Sequence, residues 1–373
     1  MAGIYIHIPF CRQACHYCDF HFSTNLRQVD QLVLAIGKEL EMRKDYLKNQ
    51  AVETVYFGGG TPSLLSERQL HFLMEKVRKL FPSDWKEVTL EANPDDLSEE
   101  NLSMWKELGV DRLSLGIQSF QEEVLQFYNR AHTAIEAMEA IAKSRNAGFK
   151  KFSIDLIYGF PKDNHAIWEK DLGEAIRQDP GHISAYSLTI EPKTALGKWT
   201  EKGSFRPAEE DFVAEQFEWL QAETEKAGYI QYEISNFGKP NEFALHNTNY
   251  WKGVPYLGVG PSAHSFDGKN RGQNPASNPK YLKAINTNKI IFEVESLTLE
   301  EQVNDRILTG LRTVWGLTPE ELRQEFAIDI LQSKEKEIVK LENQGWLIWD
   351  GKTLSLSKRG MLLADSIASE LFI

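Results

Sequence analysis

The chain alternates short β-rich segments with amphipathic helical segments from residue 4 to about residue 235. Repeated strand–helix alternation predicts parallel βαβ units. Six or more such units predict an α/β fold that forms a barrel or an open barrel, with chemistry on the loops at the carboxyl ends of the strands. The strand candidates lie at residues 4–8, 52–57, 87–92, 112–117, 152–159, 182–188 and 229–235, and the clearest helices at 28–43, 66–80, 133–147 and 209–227.

The pattern changes twice after residue 236. Glycine, proline and asparagine cluster through residues 237–298, which predicts an irregular connecting region. Residues 299–373 then show helical segments, the short strands WLIWD and TLSLS, and a helix from Lys358, which together predict a winged-helix-like module. We therefore divide the chain into a barrel at 1–236, a connecting region at 237–298 and a C-terminal domain at 299–373.

Charge and hydropathy exclude several classes of protein. The net charge is −12, from 42 basic and 54 acidic residues, whereas a nucleic-acid-binding domain needs a basic face. In the C-terminal module, Lys334, Lys336 and Lys340 lie among acids, which favours a packing or partner-binding role over DNA binding. No apolar run approaches membrane-spanning length, and the N-terminal IYIHIPF lacks the features of a signal peptide. Together with free thiols, these features predict a cytoplasmic protein that is not an integral membrane protein.

All three cysteines lie within eight residues, at Cys11, Cys15 and Cys18, with the spacing C-x3-C-x2-C. An odd number of cysteines cannot all pair as disulfides. Thiolates are the ligands of iron–sulfur clusters, and three on one short loop can hold three irons of a [4Fe–4S] cluster. The fourth iron is then left without a protein ligand, and an open coordination position lets a bound metal act on a substrate.

Other interpretations of the cysteine loop stay open at this point. A structural zinc site needs four ligands, and His16 or His21 could supply the fourth. The segment CRQACH is close to a c-type heme attachment signal but has one residue more than C-x-x-C-H. The cysteines could also lie in a tight turn without any ligand. The spacing favours the cluster.

Polar and glycine residues recur where the predicted strands end. The segment FGGGTP at residues 57–62 follows the second strand, and its glycines let the backbone approach a ligand closely. Glu91, Gln118, Arg130 and Asp155 lie at or near the ends of later strands. Each could separately be structural. Together around one barrel mouth they supply the acceptors and the single cation that a charged nucleoside ligand needs.

These motifs together resemble the radical-SAM superfamily, and within it the branch that contains oxygen-independent coproporphyrinogen III dehydrogenase and its relatives. The resemblance covers essentially the whole chain, through YIHIPFC, the cysteine loop, GGGTP, EANP, GIQSF, NRAH, DLIYGFP and the C-terminal module. It implies a partial (β/α)6 radical-SAM barrel in which the open iron is chelated by the amino and carboxylate groups of S-adenosylmethionine. By that resemblance the S-adenosylmethionine site contains Tyr5, Tyr17, Gly59, Gly60, Thr61, Glu91, Gln118, Arg130 and Asp155.

Three features separate the chain from the dehydrogenase and resemble the branch of HemW-type heme chaperones. Asp19-Phe20 follows Cys18, where the dehydrogenase motif continues as C-x-C, and the cysteine strand begins at residue 4 without a long N-terminal extension. The segment HNTNYW at 246–251 matches the H-N-x-x-Y-W motif of the chaperones. Because imidazole can ligate heme iron and aromatic rings pack on a porphyrin, the resemblance implies a heme site at His246, Tyr250 and Trp251, with His264 as a second candidate.

We therefore expect a radical-SAM-type heme chaperone that binds a [4Fe–4S] cluster, S-adenosylmethionine and heme. It would deliver heme to a heme-requiring acceptor protein, such as a respiratory heme protein. The alternative is a coproporphyrinogen III dehydrogenase of porphyrin biosynthesis, and a protein with a vestigial cluster is a further alternative. The sequence assigns no catalytic residue.

Overall fold

The computed structural model describes residues 1–373, and its centre is a run of six parallel strands that pair in chain order. Apolar side chains alternate along them, as in the first strand, where Ile4, Ile6 and Ile8 are at most 1% exposed. Because successive side chains of a strand point to opposite faces, Tyr5 and His7 face the barrel interior. The strands are β1 (Ala2–Ile8), β2 (Val52–Gly59), β3 (Glu87–Ala92), β4 (Arg112–Gln118), β5 (Lys151–Tyr158) and β6 (Gly181–Ser187).

The sheet does not close on itself. Four more strands continue it beyond β1, two short strands continue it beyond β6, and β1 does not pair with β6. The predicted partial barrel is therefore confirmed. The added strands are β7 (Ile230–Gln231), β8 (Asn236–Gly238), β9 (Tyr256–Val259), β10 (His264–Phe266), β11 (Asn270–Gln273) and β12 (Glu293–Ser296).

Amphipathic helices connect the strands and pack their apolar faces against the sheet. Those of the barrel are α1 (Val29–Met42), α2 (Glu67–Leu80), α3 (Glu99–Glu107), α4 (Glu122–Phe127), α5 (Ala134–Asn146), α6 (Ala166–Gln178), α7 (Ala195–Glu201) and α8 (Glu210–Lys226). Capping boxes explain where two of them begin: Ser66 with Gln69 precedes α2, and Thr133 with Glu136 precedes α5. Such boxes satisfy backbone N–H groups that the first turn leaves unpaired.

The prediction that residues 237–298 are irregular is wrong. They contain α9 (Leu245–Trp251), the strands β9 to β12 and α10 (Asn278–Asn286). β9 pairs in parallel with β1, so this region extends the barrel sheet. The single strand predicted at 229–235 is instead replaced by the short pair β7 and β8. Strands of two to four residues between turns are too short to show a period of two in the sequence.

A buried polar network attaches the extension of the sheet to α1. Glu39 and Arg43 form an ion pair at 3.0 Å, and their side chains are 1% and 4% exposed. Glu39 accepts hydrogen bonds from the backbone N–H of Gly260 at 2.9 Å and from the Tyr281 hydroxyl at 2.6 Å. Arg43 donates to the carbonyl of Gly258 at 2.9 Å. Because a buried ion pair is stable only when its remaining groups are hydrogen-bonded, this network holds the extension in one position.

The C-terminal residues form the predicted winged-helix-like module, with an apolar core of its own. The elements are α11 (Leu299–Leu311), α12 (Pro319–Phe326), α13 (Ile330–Ser333), α14 (Glu335–Asn343), β13 (Leu347–Trp349), β14 (Leu354–Leu356), α15 (Lys358–Met361) and α16 (Ala364–Glu370). β13 and β14 pair in an antiparallel hairpin. The module meets the barrel where the Val314 N–H donates to the carbonyl of Tyr232 at 3.0 Å. Among all the helices of the chain, none combines the length and the apolar character needed to cross a membrane.

Candidate cofactor site

A cavity of about 520 Å³ opens at the carboxyl ends of the parallel strands. This is the end at which the loops of parallel α/β barrels carry ligand-binding groups. All but one of the residues predicted from the sequence to hold the cluster and S-adenosylmethionine line this cavity: Cys11, Cys15, Tyr17, Cys18, Gly59, Gly60, Thr61, Glu91, Gln118, Arg130 and Asp155. The exception, Tyr5, lies directly behind the wall, with its ring 5.9 Å from that of the lining residue Tyr56.

The cysteine loop is fixed at several points along its backbone. The Cys11 N–H donates to the carbonyl of Ser23 at 3.1 Å, and the His16 N–H donates to the carbonyl of Tyr128 at 3.0 Å. Between them, the Asn129 side chain donates to the carbonyl of Ala14 at 2.8 Å. The three thiols are free and half-buried along one side of the cavity. The fold therefore presents all three sulfur atoms to the same space.

The geometry of the loop does not suit a single metal ion. No three histidine, cysteine or acidic side chains of the chain converge closely enough to hold one. His16 is occupied by the carbonyl of Phe127 at 2.7 Å, and His21 by the Asn278 side chain at 2.8 Å. A four-iron cluster spaces its thiolates more widely, because each binds a different iron. The residues present thus fit a cluster better than the zinc alternative.

Two of the three thiols have raised pKa values, so they do not ionise readily in the absence of a metal. Burial raises the pKa of Cys11 and raises the pKa of Cys18 to about 12. A thiol with such a pKa keeps its proton at neutral pH unless a metal replaces it. Cys11 and Cys18 are therefore protonated without a metal, and a metal that binds them displaces their protons.

The glycines after β2 are required by close packing. Gly59 has φ +107°, and a Cβ on it would lie 2.5 Å from the ring of His7. A Cβ on Gly60 would lie 2.7 Å from the carbonyl oxygen of Phe10, in the segment that leads into the cysteine loop. Since non-bonded atoms cannot approach so closely, only glycine lets this turn lie against β1 and face the cavity.

Four acidic residues line the cavity, and two of them, Glu91 and Asp155, are held in its wall by hydrogen bonds. Glu91 accepts hydrogen bonds from the Tyr56 hydroxyl at 2.8 Å and from the Gly59 N–H at 3.0 Å. Asp155 accepts one from the Ser114 hydroxyl at 3.2 Å. Burial raises the pKa of Glu91 to about 7 and that of Asp155 to about 6. A ligand with positive charge would favour the ionised form of both, so this wall is suited to a cation.

Arg130 brings the one positive charge of the cavity next to the cysteine loop. Its guanidinium donates to the Asn93 side chain at 2.6 Å and to the carbonyl of Gly116 at 2.7 Å. It also lies 3.4 Å from the Cys15 sulfur. Gln118 ends β4 at a register shift with the left-handed φ of +68°. Non-glycine residues in that conformation concentrate at ligand sites, where the strain aims a side chain.

The sequence did not indicate several polar residues of the cavity. Asn93, Ser114, Ser184, Tyr186 and Asn247 also line it. Ser114 pairs with the predicted Glu91 across β3 and β4, and Ser184 pairs with the predicted Asp155 across β5 and β6. Both serines therefore share a sheet face with predicted residues, which only the strand pairing shows. Asn247 comes from α9 and had no such signal.

The residues predicted to bind heme do not form one surface. His246 is 2% exposed and lies beside the N-terminal part of β2, away from the cysteine end. Its Nδ1 shares a hydrogen bond with the Thr54 hydroxyl at 2.8 Å, and its Nε2 with the Tyr250 hydroxyl at 2.9 Å. Burial lowers its pKa to about 3. Both ring nitrogens of His246 are therefore occupied.

Tyr250 and Trp251 lie at the other end of α9, against the C-terminal module. Tyr250 borders a cleft of about 280 Å³, and Trp251 borders a second cleft of about 340 Å³. Lys252 borders both. The second candidate histidine, His264, is exposed on β10. The HNTNYW helix thus runs from the cofactor cavity, through Asn247, to the clefts between barrel and module.

Comparison with known proteins agrees with this architecture. Residues 5–174 match the family model of the radical SAM superfamily, and residues 297–363 match that of the HemN C-terminal domain. The solved structure of coproporphyrinogen III oxidase (HemN) from Escherichia coli superposes with a TM-score of 0.87 at 22% identity, over 100% of this chain and 90% of that one. At that identity the likeness shows the fold.

Relatives at higher identity show the family. The heme chaperone HemW of Bacillus subtilis is 32% identical, over 98% of each chain. HemW of Mycobacterium tuberculosis is 34% identical, over 99% of this chain and 94% of that one. The mitochondrial radical S-adenosyl methionine domain-containing protein 1 of Bos taurus is 31% identical, over 98% of this chain and 86% of that one. The agreement of fold, domain order and near full-length identity places the chain in the HemW heme chaperone family of radical-SAM proteins.

Proposed function

We propose that this protein is a heme chaperone that carries a [4Fe–4S] cluster and S-adenosylmethionine in the cavity and delivers bound heme to an acceptor protein. The observation that supports this proposal best is that three cysteines, the carboxyl groups of Glu91 and Asp155, and one arginine line a single cavity. The proposed delivery of heme is based on the relatives, which are named heme chaperones. Because its groups come from the ends of several strands, the cavity can hold a cofactor and a substrate side by side.

In this proposal, Cys11, Cys15 and Cys18 hold three irons of the cluster. When bound, the cluster supplies one iron with a free coordination position for the amino and carboxylate groups of S-adenosylmethionine. Gly59 and Gly60 give the methionine part room to lie against the backbone. Glu91, Gln118, Arg130 and Asp155 hold the charged groups and the ribose. Burial raises the pKa values of Glu91 and Asp155, and a bound cation would stabilise the ionised form of both carboxyl groups.

Heme is the cargo in this proposal. The predicted heme site includes His246, Tyr250 and Trp251, of which the latter two border the clefts at the C-terminal module. For His246 to bind iron, its ring must leave its hydrogen bonds with Thr54 and Tyr250. We propose a cytoplasmic protein and, as acceptor, a protein that requires heme, such as a respiratory heme protein.

One observation favours the chaperone over the dehydrogenase. Asp19-Phe20 stands where the dehydrogenase motif has its next cysteine, and the Phe20 side chain is 69% exposed at the mouth of the cavity. A phenylalanine side chain cannot ligate iron, whereas a cysteine can. The chain therefore lacks the additional thiol of the dehydrogenase motif.

The proposal is tested with anaerobically reconstituted protein. Iron and sulfide are quantified, ferric heme is titrated into the chain, and heme-loaded chain is mixed with an apo heme protein. We expect cluster loading, saturable heme binding and transfer to the apo protein. Coproporphyrinogen III incubated with the protein, S-adenosylmethionine and a reductant should remain unconsumed. Turnover of coproporphyrinogen III, or an absence of heme binding, would overturn the chaperone proposal.

A further inference from the structure

Gln118 lies at the centre of a strained turn at the end of β4. The Ser119 N–H donates to the carbonyl of Ile117 at 2.9 Å, which closes a three-residue turn, and Gln118 between them has φ +68°. A three-residue turn with a positive φ at its centre is the rare, strained form of the γ-turn. A Cβ on Gly116 would lie 3.2 Å from Gln118 Nε2, and both residues line the cavity. The turn therefore carries the Gln118 amide to the cavity wall.

A buried carboxyl group on α6 holds the three residues that follow Gln118. Asp171 is 1% exposed and does not line the cavity. Its carboxylate accepts hydrogen bonds from the Ser119 hydroxyl at 2.5 Å, the Phe120 N–H at 2.8 Å and the Gln121 side chain at 3.0 Å. Because strained backbone persists only where the surrounding structure fixes it, these hydrogen bonds help to maintain the turn.

The hydrogen bonds require the ionised form of Asp171. The Ser119 hydroxyl accepts the Gln121 N–H at 3.0 Å, which leaves its own proton for the carboxylate. All three groups around Asp171 are then donors, and an ionised carboxylate only accepts. Burial raises the pKa of Asp171, and the three donors oppose that rise without a nearby cation. A buried charge is costly, and the hydrogen-bond partners of this one all belong to the segment directly after Gln118.

The residues before Gln118 are held by other side chains. Arg130 donates to the carbonyl of Gly116 at 2.7 Å, and His132 Nε2 lies 3.1 Å from the carbonyl oxygen of Ile117. Hydrogen bonds therefore fix the backbone on both sides of Gln118. This fixes the position from which the Gln118 side chain extends to the cavity.

We propose that Asp171 is a positioning residue for S-adenosylmethionine, because it holds the Gln118 turn in the conformation that brings the Gln118 amide to the ligand. This inference rests on the proposed function and adds to that site a residue outside the cavity. Without the carboxylate, the turn can relax to an unstrained φ, and the amide then leaves the ligand. Binding must restore the strained turn, so the apparent affinity falls in proportion to the fraction of chains that still hold it.

The test is a double-mutant cycle on the anaerobically reconstituted full chain, with the affinity for labelled S-adenosylmethionine measured by equilibrium dialysis. We expect Asp171→Ala to lower the affinity about tenfold, which corresponds to about a tenth of the chains holding the turn. The double variant Gln118→Ala with Asp171→Ala should bind as weakly as Gln118→Ala alone, because Asp171 acts only through Gln118. Asp171→Asn should regain most of the affinity, since its amide oxygen can still accept the Phe120 N–H.

Asp111 supplies the matched control. It lies directly before β4, and its carboxylate accepts the Val88 N–H at 2.6 Å, at the end of the strand away from the cavity. Asp111→Ala should lower the free energy of unfolding in urea while leaving the affinity for S-adenosylmethionine unchanged. Iron content should equal that of the wild type in every variant, so that a difference in affinity does not come from a loss of the cluster.

The outcomes separate this inference from the proposed function. Wild-type affinity in Asp171→Ala or in Gln118→Ala, or losses of affinity that add in the double variant, would overturn the inference and leave the proposed function standing. If Asp171→Ala does not fold, Ser119→Ala removes the same contact from the side of the turn. Its loss of affinity should likewise disappear in the Gln118→Ala background, and wild-type affinity in Ser119→Ala would overturn the inference. A wild-type chain that holds a full cluster but binds no S-adenosylmethionine would overturn the proposed function itself.

Discussion

Glu87 and Arg112 form an ion pair at 3.1 Å in which the two side chains are only 2% and 1% exposed. Glu87 also accepts the backbone N–H groups of Leu245 and His246 at 3.1 and 2.9 Å, at the start of α9. Arg112 in turn donates to the carbonyl of Glu242 at 2.5 Å. One buried carboxylate thus joins two barrel strands to the helix that carries HNTNYW.

Glu87→Ala should be strongly destabilising. It leaves the Arg112 charge buried without its partner, which typically costs about 3–5 kcal/mol, and it removes the acceptor for the first turn of α9. Urea unfolding of the purified chain measures the loss. Glu139→Ala, in the exposed pair of Glu139 with Lys143, is the control and should cost at most about 0.5 kcal/mol. A loss of unfolding free energy in Glu87→Ala as small as that in Glu139→Ala would show that the buried pair does not stabilise the fold.

Cys15→Ser should abolish the cluster and leave the fold intact. The loop is held by backbone bonds of its neighbours, such as Cys11 to Ser23, which the substitution does not touch. Serine replaces a soft thiolate with a poor iron ligand. Iron and sulfide analysis after anaerobic reconstitution checks this, with Thr24→Ala, on an exposed neighbouring position, as the control. Full iron content in Cys15→Ser, or stoichiometric zinc in place of iron in the wild type, would contradict the cluster assignment.

Contiguous motifs at strand ends could be recognised from the sequence. Cys11, Gly59, Glu91 and Asp155 each belong to such a motif, and in a parallel barrel all carboxyl ends meet at one edge. The topology alone therefore predicted that these residues would share a cavity. The winged-helix-like module was recognisable for a similar reason, since its helices and hairpin strands follow one another along the chain.

Contacts between distant segments could not be predicted in the same way. His246 shares a hydrogen bond with Thr54, 192 positions earlier, and nothing in either local pattern indicates it. Asn247 reaches the cavity only because α9 packs beside the barrel strands. The short strands of the sheet extension are stabilised by Glu39 and Arg43 on α1 rather than by their own propensity. Tertiary packing overrides weak local signals in such segments.

Gln118→Ala and Asp155→Ala should weaken S-adenosylmethionine binding while iron content stays unchanged. Both residues line the cavity on strands that carry no cysteine, and the Asp155 carboxyl group is held by Ser114 rather than by the cysteine loop. Loss of a hydrogen bond to a charged ligand group is worth about 1.5–3 kcal/mol, or roughly tenfold to a hundredfold in affinity. Equilibrium dialysis with labelled S-adenosylmethionine measures it. Wild-type affinity in both variants would assign these residues a structural role.

Glu91→Gln should stabilise the ligand-free chain above pH 7 while weakening S-adenosylmethionine binding. Burial raises the pKa of Glu91 to about 7, whereas a carboxyl group in the unfolded chain titrates near about 4.3. The folded state therefore holds the extra proton between these pH values, and its stability falls as the pH rises through that window. Above pH 7 the full cost of the buried charge is present, and the neutral amide of the variant avoids it.

The expected gain at pH 8 is on the order of 1–3 kcal/mol, with little gain at pH 4, where Glu91 is protonated in the folded state and mostly protonated in the unfolded chain. Urea unfolding of the ligand-free chain at the two pH values measures it, and Glu139→Gln on the exposed face of α5 supplies the pH control.

Binding of the cationic ligand should show the opposite pH dependence, because it needs the ionised carboxylate. The affinity of the wild type should fall as the pH drops below 7, and the affinity of Glu91→Gln should be low and nearly independent of pH. A variant that gains nothing at pH 8 and keeps the wild-type pH profile of binding would show that Glu91 neither carries a costly charge nor meets the ligand.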